Sequence, residues 1–206
     1  NDPIWDLKYM DKFKWKGKYY GLCTERGFDL HIIFYNKTMF KNNGVKTPME
    51  YYNEDQWNWE NFHKVAEELT QDTDNDGTID IYGFATCNPE DFLLSNGGHL
   101  VKYTDDGMEL ALNDPVNLKG LEYARDLRQK YKCMSSSMSI DDFVAGKCAM
   151  ASNGKWVPET NFEGFKDEWD IVPYPMAPDV DEYTMVGEDG VMLFQQVLKI
   201  LKAVFC

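Results

Sequence analysis

Leu30-His31-Ile32-Ile33-Phe34-Tyr35-Asn36-Lys37-Thr38-Met39-Phe40-Lys41-Asn42-Asn43-Gly44 is the stretch whose reading decides the fold. Its first half is a short apolar run of β-forming residues, bounded by Gly27 before and Asn36 after, and predicts a buried strand. Its second half predicts a short helix stopped by Gly44. Further along, Trp59, Phe62, Val65, Ala66 and Leu69 form one stripe of an amphipathic helix over residues 58–70. Asp114 followed by Pro115 predicts the N-cap and first turn of a second helix, with Leu118, Leu121, Ala124, Leu127 and Tyr131 as its stripe. A third, shorter helix starts near Ser139, with Asp142 placed to close a capping box and Phe143 facing in, and Gly146 ends it. Cys148-Ala149-Met150-Ala151 follows as a small-residue strand, and Trp169-Asp170-Ile171-Val172 is another, ended by Pro173 and Pro175. Strands alternating with helices predict α/β layers around a largely parallel sheet. Residues 173–190 are loop-rich and mark where the chain leaves this lobe.

Composition narrows the function. The 206 residues suffice for one substantial domain with a core. With 35 Asp and Glu against 21 Lys and Arg, the net charge of -14 repels phosphates and anionic lipid surfaces, which excludes nucleic acid as the partner. Six Trp, twelve Tyr and twelve Phe exceed what a core of this size usually needs; composition alone favours an aromatic-rich core with some rings at the surface, with flat rings covering flat apolar ligand faces, sugars included, as the second reading. The five cysteines, Cys23, Cys87, Cys133, Cys148 and Cys206, form no CxxC pair and no metal-ligand spacing. Val197, Leu198, Leu201 and Val204 predict an amphipathic helix, interrupted by Lys199 and Lys202 and so too polar to span a membrane. The opening at Asn1 and the abrupt close at Cys206 read as the ends of a fragment.

The sharpest local motif is Asp72-Thr73-Asp74-Asn75-Asp76-Gly77-Thr78-Ile79-Asp80. Its carboxylates fall at positions 1, 3, 5 and 9 of a calcium-type loop, with Gly at 6 and the Thr78 carbonyl at 7. Position 12, where a bidentate Glu is expected, holds Gly83. Two readings stay open: a structural calcium site, or a cation-free acidic turn. Trp156, after a strand and a glycine turn, sits where open α/β sheets bind ligands and reads equally as a rim residue or a ligand platform. Trp59 belongs to the helical stripe, whereas Trp57 just before it is undecided between core and ligand contact. Hydrolytic motifs are lacking: His31, His63 and His99 are far apart, and no HExxH or GxSxG occurs. His31, inside the apolar strand, reads as a satisfied core histidine.

Six segments, taken in order, resemble the extracellular solute-binding proteins of bacterial ABC importers, of the sugar-specific, maltodextrin-binding-like class. They are Phe34-Tyr35-Asn36-Lys37 with Gly44 and Pro48, Trp57-Asn58-Trp59-Glu60-Asn61-Phe62, and Leu69-Thr70 leading through the acidic loop to Tyr82-Gly83-Phe84. Asn96-Gly97-Gly98, then Phe143 through Met150 with Gly154-Lys155-Trp156, and Trp169-Asp170-Ile171-Val172-Pro173-Tyr174-Pro175 complete the set.

The resemblance implies a periplasmic-binding-protein-like (type II) two-lobe α/β fold of which mostly one lobe is present. Residues 1–30 would be the inter-lobe crossing, 31–186 the second lobe and 187–206 the return segment. It implies a monomeric, non-enzymatic protein that binds a carbohydrate between its lobes and delivers it to an ABC permease, extracellular and lipid-anchored. No cofactor is required, with structural calcium as the one candidate, held by Asp72, Asp74, Asp76, Thr78 and Asp80. The implied ligand contacts are Trp156 as the stacking ring, Asp29 on the crossing, Asn96 and Gly98 in a cleft loop, Arg26 and Glu25 beside Asp29, and Trp57. Cys23 stands where the family commonly has proline, and the chain from Gly190 departs from the family's small-residue strand. The competing classes are a carbohydrate-active enzyme domain and a calcium-stabilised structural module.

Overall fold

The computed structural model describes residues 11, 14–19, 21–22, 28–104, 107–184, 186–189 and 192–193. The chain divides into two compact units, Asn1–Asp29 with Gly187–Cys206, and Leu30–Val186. In the first, β1 (Lys14–Trp15) and β2 (Lys18–Tyr19) pair as a hairpin, and β3 (Gly21–Leu22) pairs antiparallel with Met192–Leu193. The helix expected at Val197, Leu198, Leu201 and Val204 lies outside the described residues.

The second unit is built on β4 (Phe28–Asn36). Its side chains alternate between two cores: Ile33 and Tyr35 join one apolar cluster, Ile32 and Phe34 the other. A strand covered on both faces has to be apolar at successive positions, which is why this run shows no polar alternation. Asn36 ends β4 and starts α1 (Lys37–Asn43): its Oδ1 accepts the Met39 N–H at 2.9 Å, and its Nδ2 donates to Asp167 at 2.8 Å. Gly44 closes α1 at φ 67°, a left-handed conformation that costs glycine little.

Then follow α2 (Pro48–Asn53), α3 (Trp59–Glu68), β5 (Tyr82–Ala85) and α4 (Pro89–Ser95). The β6 (Val101–Thr104) and β7 (Gly107–Leu110) hairpin leads to α5 (Pro115–Gln129) and α6 (Ile140–Val144). Last come β8 (Cys148–Gly154), α7 (Val157–Asn161), β9 (Trp169–Val172) and β10 (Val186–Asp189). The sheet order is β10-β4-β8-β5, with β9 also paired to β4. Helices α3, α4 and α5 cover one face through Phe62, Phe92 and Leu127. Helices α6 and α7 cover the other through Phe143 and Val157.

Two expectations are corrected. The sheet is mixed: β5 and β8 run parallel, but β4 is antiparallel to both β8 and β9. The parallel pair is the one whose strands are joined by a helical crossover and lie side by side, whereas β4 and β5 are separated by β8 and no crossover fixes their direction. The buried stripe of α5 is also rotated, to Asn117, Gly120, Tyr123, Ala124 and Leu127, and leaves Leu118 43% exposed. Close packing against α4 causes this, because a Cβ on Gly120 would lie 2.5 Å from Leu93 Cα. Asp114 starts α5 as expected, but its carboxylate pairs with Lys102 rather than capping the helix.

Candidate functional site

An open cavity of about 220 Å³ lies in the second unit, lined by His31, Thr86, Cys87, Asn88, Asp91, Ser152 and Asn153. The register builds it. Ala85, the last residue of β5, pairs with Ala151 of parallel β8, so Thr86 leaves β5 beside the part of β8 that carries Ser152 and Asn153. This is the edge at which open α/β sheets hold ligands. His31 pairs with Gly154 across the antiparallel β4–β8 ladder, and α4 begins directly beyond β5, bringing Asp91 to the floor in its first turn.

Thr86 adopts φ 51°, which is costly for a β-branched residue. Its hydroxyl donates to the Ser152 carbonyl at 2.8 Å, pinning the bend where β5 leaves the sheet. The floor is a buried chain of hydrogen bonds. Tyr174 donates to Asp91 Oδ2 at 2.8 Å, and His31 Nδ1 lies 3.0 and 3.2 Å from the two Asp91 oxygens. Tyr174 has a single hydroxyl hydrogen, committed to Asp91, so its contact with Ser152 is made by the serine donating. Burial pushes the Asp91 carboxyl up, opposed by the bonds from Tyr174 and His31. Burial also pushes the Tyr174 phenol and the Cys87 thiol well up, so both stay neutral. Cys87 directs its thiol to the Asn88 carbonyl and Ser152 its hydroxyl to Tyr174, so neither nucleophile is turned to the imidazole as a catalytic pair requires.

Trp156 stands on the turn after β8, three residues beyond Asn153, and is 47% exposed. Its backbone is fixed by the Lys155 N–H donating to the Leu30 carbonyl at 3.0 Å and by α7, which begins at Val157. Trp57, by contrast, is fully buried, and its indole N–H donates to the Pro173 carbonyl at 2.8 Å. It is a core residue, which corrects its inclusion among the ligand contacts.

Asn96 and Gly98 do not line the cavity either. They close the far end of α4, where the Gly97 and Gly98 N–H groups donate to the Leu94 and Leu93 carbonyls at 3.0 and 3.1 Å. Asn96 Nδ2 donates to the Val116 carbonyl and Asp179, and a Cβ on Gly98 would lie 2.0 Å from Asn117 Oδ1. Asp29 lies on β4, and Glu25 and Arg26 lie outside the described residues. Sequence reasoning passed over Asp91, Thr86 and Asn153, and took His31 for core. The available signal was Asn88-Pro89-Glu90-Asp91 directly after a strand, a helix start whose carboxylates face a sheet edge.

At the acidic turn, Asp72, Asp74 and Asp80 bring carboxylate oxygens within 4.8 Å of one another, while Asp76 and Thr78 are not part of that trio. Asp72 accepts the Asp76 and Gly77 N–H groups at 3.2 and 2.9 Å, and Asp76 accepts the Thr78 N–H at 2.7 Å. Asp80 accepts the Thr73 N–H at 2.8 Å, and the bonds from Thr73 hold its carboxyl below the usual range. The mouth is zipped by Gln71 and Ile81, whose N–H and C=O groups pair at 2.8 and 3.0 Å.

A sequence profile of the bacterial extracellular solute-binding protein family matches residues 2–197. The arabinooligosaccharide-binding protein of Bacillus subtilis (strain 168) is 30% identical over 112 residues, 54% of this chain and 23% of that protein. Among solved structures, CpMnBP1 with mannobiose bound aligns over 99% of this chain and 54% of its own, at 22% identity and TM-score 0.69. The maltodextrin-binding domain from Bdellovibrio bacteriovorus, bound to maltotriose, aligns over 100% of this chain and 56% of its own, at 21% identity and TM-score 0.64. The chain thus spans about a quarter of the curated relative and about half of each structure. The architecture is that of type II periplasmic binding proteins.

Proposed function

The chain belongs to the bacterial extracellular solute-binding protein family, and from that premise we propose that it binds a carbohydrate, an oligosaccharide, and delivers it to the membrane permease of an ABC importer. One observation carries the reading: an exposed tryptophan, Trp156, stands on the turn directly after β8, the strand whose Ser152 and Asn153 line a polar cavity. An indole face covers the C–H face of a sugar ring, while Thr86, Asn88 and Asn153 exchange hydrogen bonds with its hydroxyls. The cavity lining carries no Lys or Arg among the described residues, which favours a neutral ligand over an anionic one.

Residues 31–186 act as the second lobe of a two-lobe clamp, with 1–30 crossing from the first lobe and 187–206 returning to it. Closure removes water from the hydrogen bonds, so a mismatched hydroxyl is costly. The protein breaks no bond in its ligand, works as a monomer outside the cell and is tethered there by a lipid anchor. No cofactor is required in this reading, and Asp72, Asp74 and Asp80 are the candidate holders of a structural calcium ion.

The test is calorimetry of the complete protein against arabinotriose, maltotriose and mannobiose. Binding of at least one, with the sugar recovered unchanged, is expected. Failure of all three, or hydrolysis, contradicts it.

A further inference from the structure

A buried carboxylate is retained against a desolvation cost, so its surroundings bear on why it is there. Asp91 is 2% exposed on the cavity floor and accepts from Tyr174 and His31. Tyr174 accepts from Ser152 in turn, so every donor in this chain points towards Asp91. A carboxylate accepts only, and the hydrogen between it and the imidazole therefore sits on His31 Nδ1. In a neutral ring this leaves Nε2 as an acceptor, on the edge away from Asp91, and His31 lines the cavity.

We propose that His31 accepts a hydrogen bond from a ligand hydroxyl through Nε2, and that Asp91 is the positioning residue that holds the ring in the Nδ1–H form. The proposal rests on the carbohydrate reading and refines it. Asn88 and Asn153 carry amides that donate and accept, and adapt to either kind of partner. A fixed acceptor selects: a sugar with a free hydroxyl at that position satisfies it, and a deoxy or O-methylated sugar leaves Nε2 unpaired. Protonation of His31 converts the acceptor into a donor and forces the hydroxyl to reverse.

Cys87 and Tyr174 stay neutral, and Glu90 precedes Asp91 on α4. Lys155 follows Gly154, the register partner of His31.

Two measurements on the complete protein test this. Nitrogen-15 spectra of histidine-labelled, sugar-free protein are expected to show His31 with a bare Nε2, lost in Asp91→Asn; a protonated Nε2 in the wild type overturns the proposal. Calorimetry with arabinotriose, maltotriose and mannobiose then compares the wild type with His31 variants. His31→Phe should weaken binding about tenfold, and His31→Gln, with an amide near the Nε2 position, should regain part of the affinity. Binding that depends on Trp156 but is unchanged in His31→Phe overturns this proposal alone. Absence of binding by all three sugars overturns it together with the carbohydrate reading.

Discussion

Tyr174 donates its phenolic hydrogen to the Asp91 carboxylate at 2.8 Å, joining the loop after β9 to the first turn of α4 across 83 positions of sequence. Both groups are buried, and the bond anchors the cavity-lining Asp91 from beneath. Tyr174→Phe leaves the carboxylate short of a donor and Ser152 short of an acceptor, at a cost of about 1–3 kcal/mol. The sign with pH follows from the raised Asp91 carboxyl. Its contribution to stability is fully present below the ordinary carboxylate value and is lost as pH rises through the raised folded value. Tyr174→Phe removes a bond that lowers that value, so the variant's penalty is largest where Asp91 is ionised and shrinks on acidification. Urea unfolding at several pH values checks this; a pH-independent penalty contradicts it.

Trp57 and Trp156 are predicted to separate stability from binding. Trp57→Ala empties a fully buried site and should cost about 3–5 kcal/mol in urea unfolding. Trp156→Ala, at an exposed turn, should stay within about 0.5 kcal/mol. Equal losses would contradict the assignment of Trp57 to the core.

Cys133 and Cys148 are both pushed up to about 12 by burial. Native protein therefore keeps two protons that the unfolded chain loses above about pH 8.5. Their contribution to stability is full below that pH and declines as pH rises towards the folded values. Both thiols should resist iodoacetamide in the native protein and react in urea. Rapid native modification, read by peptide mass, would contradict their burial.

Gly120→Ala drives a methyl towards Leu93 Cα at 2.5 Å and should cost about 1–3 kcal/mol or more. Leu118→Ser, on the exposed side, should change stability by about 0.5 kcal/mol at most. The reverse ranking would restore the helical stripe that hydrophobic spacing suggests.

The turn at Asp72 to Asp80 should fold without a cation. Adding a chelator is expected to leave the melting temperature unchanged, and a clear drop would show that calcium contributes. On acidification, the stabilisation from Asp80 is present above the ordinary carboxylate value and lost as pH falls through its lowered folded value.

The legible parts of the fold were those set by local chemistry. Asn36 and Gly44 bound α1, the Trp59 to Leu69 stripe is buried, and Asp142 accepts the Ser139 N–H at 2.8 Å as the capping box required. Side-chain type was a poorer guide where tertiary contacts compete. Asn117 and Gly120 took the buried face of α5 from Leu118 because α4 approaches too closely for a larger residue. Helices α2 and α4 went unread although each opens on proline, at Pro48 and Pro89. The exposed turn that carries Trp156 after β8 was legible from its strand–glycine–tryptophan context. Asp91 and His31 were not, because sixty positions separate them and only the sheet register brings them within 3.0 Å. Asn96 and Gly98 illustrate the converse: a motif shared with a family can mark a helix end as readily as a ligand contact.

The central claim is that a sugar ring stacks on Trp156. Tryptophan fluorescence of the complete protein, titrated with whichever of arabinotriose, maltotriose or mannobiose binds, tests it most directly. The account predicts a saturable emission change in the wild type that survives in Trp57→Phe. In Trp156→Ala the change should vanish and calorimetric affinity should fall about 30-fold or more, the loss of about 2 kcal/mol expected for an aromatic anchor. An unchanged emission response and unchanged affinity in Trp156→Ala would contradict it.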